Sequence, residues 1–225
     1  MNYHRDRDYL KNESMFRNIF RKRLNLLKSH LSGIRQGRVL DIGCSNGVFL
    51  DLFKGWETWG VEPSGSGETA KKKGHKIIKN YFEKADLPKN YFDLVIMNHT
   101  LEHLDNLVEV LRKARSLLKK GGIILIDVPN AGGIGAKLLG KNWPYLLPEE
   151  HKHQFTKESL LEVLKDSGFK ILDFSSRSGI FEYANPLLEL PRKRFLLDLA
   201  AIPYSAIATL LNMGDSMSII GKKTQ

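Results

Sequence analysis

Two carboxylates set twenty-one residues apart carry the first chemical signal in the chain. Asp41 interrupts the apolar run that opens VLDIGCSNGVFL, and Glu62 closes TWGVE. A carboxylate inside an otherwise buried strand must be paired, so Asp41 either organises the turn that follows or takes a ligand's ammonium group. Glu62, at the end of a second strand, suits the two hydroxyls of a ribose. Between them, Gly43 and Gly47 remove side chains at a sharp turn and allow a ligand close to the backbone. A dinucleotide would require G-x-G-x-x-G to seat its pyrophosphate. Cys44, Ser45 and Asn46 fill that interval instead, which favours a ligand without phosphates.

Histidines supply the second signal. His99, His103, His151 and His153 cluster in the stretches around MNHTLEHL and EEHKHQF. Imidazole titrates near neutrality and suits proton removal from an acceptor hydroxyl. His151 and His153 precede a helix and follow a glycine-rich segment, which places them on an acceptor side; His103 reads equally as a base or as a helix-entry packing residue. Glu150, His151 and His153 lie too close in sequence, without a remote ligand, to read as a metal site, so none is expected. Trp143 and Tyr145 either wall the acceptor pocket or anchor the loop that carries them.

These residues need a scaffold, and the hydrophobic pattern provides one. Met15, Phe16, Ile19, Phe20, Leu24, Leu27 and Leu31 mark one face of a helix over 13–32, ended by Gly33. Strands follow at 39–42, 58–62, 76–78, 92–97 and 123–128, and helices at 48–53 and 104–118. The helix at 48–53 should aim its N-terminal amides back at the glycine turn. Continuous rather than alternating apolar strands predict a sheet covered on both faces. Residues 130–150 are glycine- and proline-rich, long enough to read as a lid. Thr156 caps a helix to Asp166, and strands at 169–175 and 216–221 complete a doubly wound, mostly parallel seven-stranded α/β sheet whose last strand is antiparallel. Pro191 and Pro203 interrupt an apolar stretch at 186–211 that begins with the basic Arg192–Lys193–Arg194; it is too short and too broken to cross a membrane and reads as a cap, a dimer contact or a membrane-surface segment. The chain thus divides into an N-terminal helix, a core over 37–182, a cap over 183–214 and a last strand and tail over 215–225, all in one domain of 225 residues.

At this point the motifs resemble a family. VLDIGCSNG followed by VEPS is similar to the first and second motifs of the class I S-adenosylmethionine-dependent methyltransferases, with Ser45 where the family usually has its middle glycine. YFDLVIMNHTLEHL and LLKKGGIILIDVPN resemble the same family's fourth and fifth strands, and HKHQFTKESLLEVLKDSGF a segment of its small-molecule branch, which includes quinone-ring and sugar methyltransferases. The resemblance implies a Rossmann-like sheet and S-adenosyl-L-methionine as cofactor. It places Asp41, Gly43, Cys44, Asn46 and Gly47 around the methionine end, Glu62 on the ribose with Pro63 beside the adenine, and Asn98 and His99 over the cofactor. Tyr81 stands where the family commonly has an adenine-binding aspartate, so the backbone of Tyr81 and Phe82 takes that place.

Methyl transfer from a sulfonium asks mainly for alignment and exclusion of water. The expected reaction is O-methylation of a small glycan, lipid-linked or quinone-like acceptor. Asn98-His-Thr-Leu in place of an NPPY-type motif favours a hydroxyl over an exocyclic amine. An RNA or protein methyltransferase and a non-catalytic cofactor-binding module are the alternatives; the net charge of +10 prompts the first, but its basic residues are scattered and no aromatic-interleaved groove accompanies them, so no specific nucleic acid is expected. Gly43-Cys-Ser-Asn-Gly47 also spells a hydrolase nucleophile elbow with Ser45 as nucleophile, though too few strands precede it. The polar opening MNYHRDRDYLKNES and the single cysteine, Cys44, point to a reducing cytoplasm.

Overall fold

A computed structural model of the chain describes residues 12–34 and 36–224; the opening residues read for a leader, and Gln225 of the tail, lie outside the described residues. Seven strands form one sheet in the order β3-β2-β1-β4-β5-β7-β6. They are β1 (Arg38–Ile42), β2 (Glu57–Val61), β3 (Lys76–Ile78), β4 (Phe92–Asn98), β5 (Leu118–Pro129), β6 (Phe169–Arg177) and β7 (Ser216–Lys223). The first five pair in parallel, and β7 inserts antiparallel between β5 and β6. The order reverses between β1 and β4, and in such sheets the crevice for a ligand opens there, at the carboxyl ends of the strands.

Alternation along the central strands explains why they read as unbroken apolar runs. Leu40, Ile42, Val95, Met97, Ile124 and Ile126 pack into one core. Val39, Leu94, Ile96, Ile123 and Leu125 pack into another on the opposite face. Successive side chains of a strand point to opposite faces, so both faces must be apolar when both are covered. Helices α3 (Leu107–Leu117) and α5 (Lys157–Asp166) bury leucines in the first layer; α1 (Glu13–Lys28) buries Met15, Ile19, Phe20 and Leu27 in the second. Asn106 caps α3, and Thr156 and Ser159 form a reciprocal capping box on α5.

One predicted element does not form. In place of a helix over 48–53 the chain makes turns and a single 3₁₀ turn, Leu50–Leu52. Gly55 in a left-handed conformation ends the segment and β2 starts at Glu57, so too few residues remain for a helix to repay its nucleation cost. The segment after β2 gives a short helix, α2 (Gly67–Lys72), that starts beyond Gly65. In the lid, α4 (Ile134–Leu139) replaces what the composition suggests is irregular loop. The cap folds as a 3₁₀ turn at Pro186–Glu189 and two helices, α6 (Lys193–Ala200) and α7 (Ile202–Leu210), with Pro203 in the first turn of α7, where its missing N–H costs nothing. Among the described residues no helix is long and apolar enough to cross a membrane.

Candidate functional site

The turn after β1 is built by backbone demands. Val61 O accepts from the amides of Gly43 and Cys44, and Glu62 takes the Ser45 amide at 2.9 Å and the Ser64 amide at 2.8 Å. The amides of Gly43, Cys44, Ser45 and Gly47 are thus consumed inside the turn or against β2 and Glu62. Both glycines adopt φ near +78°. A Cβ on Gly43 would strike Thr100 Oγ1 at 2.5 Å, and one on Gly47 would strike His75 and Ala70 at 2.8 and 2.9 Å. Neighbouring protein, rather than a ligand, excludes those side chains. Ser45 shares the left-handed region, at φ +46°, where a glycine would be unstrained.

Four buried polar groups converge at this turn. Asp41 Oδ1, both side-chain polar atoms of Asn46, and Asn98 Oδ1 have no hydrogen-bond partner. Burial, reinforced by Glu62, pushes the Asp41 carboxyl well above the ordinary aspartate range. Orphaned buried polar atoms are costly, and a ligand carrying both an ammonium and a carboxylate would satisfy this set. Asp41, Gly43, Cys44 and Asn98 line a narrow cavity with Phe20, Val48 and Phe49. Its free volume of about 10 Å³ holds roughly one water. Phe20 of α1 closes it by stacking on Phe49 with ring centroids 4.6 Å apart. The donors and acceptors therefore fit the amino-acid end of S-adenosylmethionine.

The remaining residues placed on the cofactor by sequence are less uniform. The Cys44 side chain packs against Gly60 and Ile77, so its thiol is core; burial raises its pKa further, with Asp41 and Glu62 adding to the rise. Glu62 is buried yet keeps unused lone pairs beyond its two amide bonds, and Pro63 beside it is half-buried. Tyr81 is 51% exposed, whereas the Phe82 ring is in the core and its carbonyl accepts from Lys113 Nζ at 2.7 Å. Of that pair only Tyr81 has an exposed side chain.

Beyond β4 a second polar group assembles. Thr100 donates to Ile42 O at 2.9 Å and ties the ends of β1 and β4 together. His99, at φ +52°, lies between two buried carboxylates: Nδ1 is 3.3 Å from Glu102 Oε1 and Nε2 is 3.4 Å from Asp127 Oδ1. His103 Nδ1 donates to Glu150 O at 2.8 Å, and His151 Nδ1 to Tyr145 O at 2.9 Å. A carbonyl only accepts, so Nδ1 of each ring carries a proton, and in the neutral form of either ring Nε2 is the basic nitrogen. The two rings meet edge to face with centroids 4.9 Å apart. His151 Nε2 is 4.0 Å from Glu102 Oε1, and Glu102 Oε2 has no hydrogen-bond partner. Burial opposes ionisation of Glu102, but its bond to His99 and the charges of His99 and His103 outweigh it and hold the carboxyl below its ordinary value.

His153 stands outside this group. Its ring nitrogen lies 3.3 Å from Asp105 O, and its backbone amide, not its imidazole, reaches Glu102 O. Nor do Glu150, His151 and His153 converge, because Glu150 contributes its carbonyl to His103. Instead, one ligand atom each from Glu102, His103 and His151 lies within 4.8 Å of the others, a spacing a divalent cation could use. Trp143 is buried and donates to Asp215 Oδ1 at 3.3 Å, which makes it the anchor of the lid.

Sequence reasoning passed over Asp127, Arg23 and the carboxylate of Glu102. Asp127 is fully buried and accepts from Arg23 Nη2 at 2.6 Å, Ser216 Oγ at 3.0 Å and Ser218 Oγ. Burial opposes its ionisation too, but Arg23 and His99 prevail and lower its pKa. The signal was present: Asp127 interrupts IILIDV as Asp41 interrupts VLDI. The Ser45 nucleophile elbow is not formed, since no helix follows the turn and the Ser45 amide is held by Glu62.

A model of the methyltransferase domain matches residues 11–174. The ubiquinone biosynthesis O-methyltransferase of a Bradyrhizobium strain is 34% identical over 170 residues, covering 65% of this chain and 66% of that one. The chain spans less than half of the further enzymes of that name from Rhodopseudomonas palustris. Among solved structures, an S-adenosylmethionine-dependent methyltransferase from Archaeoglobus fulgidus is 26% identical with a TM-score of 0.65, covering 96% of this chain and 99% of that one. Phosphoethanolamine N-methyltransferase 2 of Haemonchus contortus, in complex with S-adenosyl-L-methionine, shares the fold at 19% identity and a TM-score of 0.66, covering 100% of this chain and 61% of that one. With the motif order, the reversal of the sheet between β1 and β4 and the family match all agreeing, the chain belongs to the methyltransferase-domain family and is an enzyme that uses S-adenosyl-L-methionine.

Proposed function

We propose that the enzyme methylates a hydroxyl of a small-molecule acceptor, with Glu102, His103 and His151 as its proton-handling group. The observation that carries this reading is the matched pair of Nδ1-protonated imidazoles set beside a buried, ionised carboxylate. Bound S-adenosylmethionine supplies an electrophilic methyl whose bonding electrons depart with sulfur. Asp41, Asn46 and Asn98 would hold its amino-acid end, Glu62 its ribose and Tyr81 its adenine. His99 is fixed between Glu102 and Asp127, and would close over the cofactor with Asn98. The acceptor's O–H proton passes to Nε2 of His151 or His103 as its oxygen forms the new C–O bond, and Glu102 stabilises the imidazolium. Burial of His151 beneath the lid excludes water from that transfer.

Support for an oxygen acceptor comes from the name of the Bradyrhizobium relative, a ubiquinone biosynthesis O-methyltransferase. A quinone-like catechol is accordingly the first acceptor to test, ahead of glycans and other lipid-linked hydroxyls. The chain acts as one methyltransferase unit of the cytoplasm, with 183–214 as its cap and 186–211 as a contact surface. Incubation with labelled S-adenosylmethionine and a panel of catechols with and without prenyl tails tests the reading. Formation of an O-methyl ether, lost in the His151→Ala variant, is expected; methyl transfer only to an amine, or undiminished in that variant, would overturn it.

The orphaned Glu102 Oε2 and the 4.8 Å cluster favour a second reading of the same residues, in which a divalent cation held by Glu102, His103 and His151 binds the acceptor oxygen. Activity abolished by chelation and restored by added Mg²⁺ or Zn²⁺ selects that reading; activity indifferent to chelation selects the base.

A further inference from the structure

Helix α7 is built inside out. Its buried positions are small or polar, Ser205 and Ala208, with Tyr204 turned to Asp215 through a 2.9 Å hydrogen bond. Its outward positions are large and aliphatic: Ile207 is 55% exposed, Leu210 84% and Leu211 57%. With Pro203 these fall at i, i+4, i+7 and i+8, one continuous stripe of a helix surface. No charged residue occurs between Asp198 and Asp215. A surface helix normally presents the opposite pattern, because aliphatic groups held in water forgo the burial that stabilises a fold.

The stripe does not stand alone. Leu196 and Leu197 of α6 are exposed beside it in the cap. The lid helix α4 abuts the end of α7, since the Ile134 amide donates to Met213 O at 2.9 Å and Gly135 lies against Tyr204 and Asp215. That helix adds the exposed Leu138. An apolar surface of this extent marks a docking face.

Charge identifies what docks. Lys193 of the cap and Lys137 and Lys141 of the lid segment are exposed, whereas the two acids of 186–211 face inward. Glu189 is buried, accepts from Asn18 and forms an ion pair with Arg192, and Asp198 accepts from the Tyr183 hydroxyl at 2.9 Å. Three exposed lysines against one exposed acid of the lid and cap, Glu149, leave the apolar face with a cationic balance. A second copy docked through the same face would bring like charges together around a twofold axis. An anionic bilayer complements both parts: acyl chains receive the aliphatic stripe and acidic headgroups receive the lysines. We infer that the surface formed by α7, the exposed leucines of α6 and the tip of α4 docks on an anionic membrane, with the lid against the headgroups. This holds whichever acceptor the enzyme uses.

Co-flotation of the full chain with phosphatidylcholine vesicles, with and without about one quarter phosphatidylglycerol, tests the inference. Binding to the anionic vesicles only, weakened by about 0.5 M salt, is the expected result. The variant Ile207→Glu/Leu210→Glu should lower the bound fraction at least about tenfold while S-adenosylhomocysteine affinity stays unchanged, since both positions face outward. Should that variant not fold, Lys137→Glu/Lys141→Glu serves the same comparison, with a smaller loss expected. Absence of binding to anionic vesicles overturns the inference, as does equal binding by wild type and variant. So does a lipid-free dimer that the same substitutions dissociate, because the face then belongs to a second copy.

Discussion

The two halves of the site are built in opposite ways. The turn after β1 is contiguous chain, fastened from β2 by the Val61 carbonyl and the Glu62 side chain and from just beyond β4 by Thr100. The histidine group draws its members from the turn after β4 and from the end of the lid, 48 residues apart between His103 and His151. In the first half backbone conformation does the work, and polar atoms of Asp41, Asn46 and Asn98 are left without hydrogen-bond partners. In the second, side chains pair and pack with one another, and backbone carbonyls fix the tautomers of His103 and His151. A local turn can thus hold a common cofactor with few specific side chains, whereas handling the acceptor's proton requires two distant segments brought together by a lid.

Substitutions can separate the halves. The largest expected effect is on the acceptor side: His151→Ala should lower kcat by about 10²–10⁴-fold with S-adenosylhomocysteine affinity unchanged, as steady-state rates and calorimetry would show. Equal losses in both quantities would erase the distinction. Asp127→Asn strikes the junction, leaving Arg23 buried beside an uncharged partner, and should cost about 3–5 kcal/mol of stability in denaturant unfolding. Because the folded-state pKa of Asp127 is lowered, its stabilisation is present above the unfolded value near 4 and is lost as pH falls through the folded value, so the variant should lack part of the wild type's acid sensitivity.

Glu62→Ala belongs to the first half and should weaken cofactor binding by roughly 10²-fold through two lost charge-assisted amide bonds and the ribose contact, with Glu62→Gln losing less. Asp41→Asn should act in two directions. A buried acid with a raised folded-state pKa weakens the fold above that pKa, a penalty relieved as pH falls through it. At neutral pH the variant should therefore melt about 2–4 °C higher without cofactor and gain less from adding it, in thermal-shift titrations. The smallest effect is Ser45→Gly, which relieves a left-handed serine and should add no more than about 1 kcal/mol in urea unfolding, leaving activity intact.

The same contrast governs what the sequence disclosed. Strand positions, the Thr156 cap and the break at Pro203 depend on neighbours in the chain and were legible there. Asp41 and Glu62 were legible because a carboxylate at the end of an apolar strand is conspicuous. The helix over 48–53 was misread because local periodicity ignores how soon β2 must begin. His153 and His151 looked alike in sequence; only the fold turns one ring to Glu102 and the other to the Asp105 carbonyl. Trp143 could not be assigned before Asp215, 72 residues away, was placed beside it. The outward stripe of α7 was visible as an apolar run, but its direction depends on which residues face Gly179 and Asp215.

Helix α1 touches three parts of the molecule at once. Phe20 lines the cavity beside the β1 turn, Arg23 grips Asp127, and Asn18 bonds Glu189 and Asn185 at the start of the cap, where Arg192 returns bonds to Asn12 and Ser14. A cofactor that lifts Phe20 therefore works against anchors that also hold the cap. Coupling of this kind is reciprocal: if docking of the cap changes cofactor affinity by some factor, cofactor must change docking by the same factor. Through α1, occupancy of the pocket and docking of the cap would then be two readings of a single equilibrium.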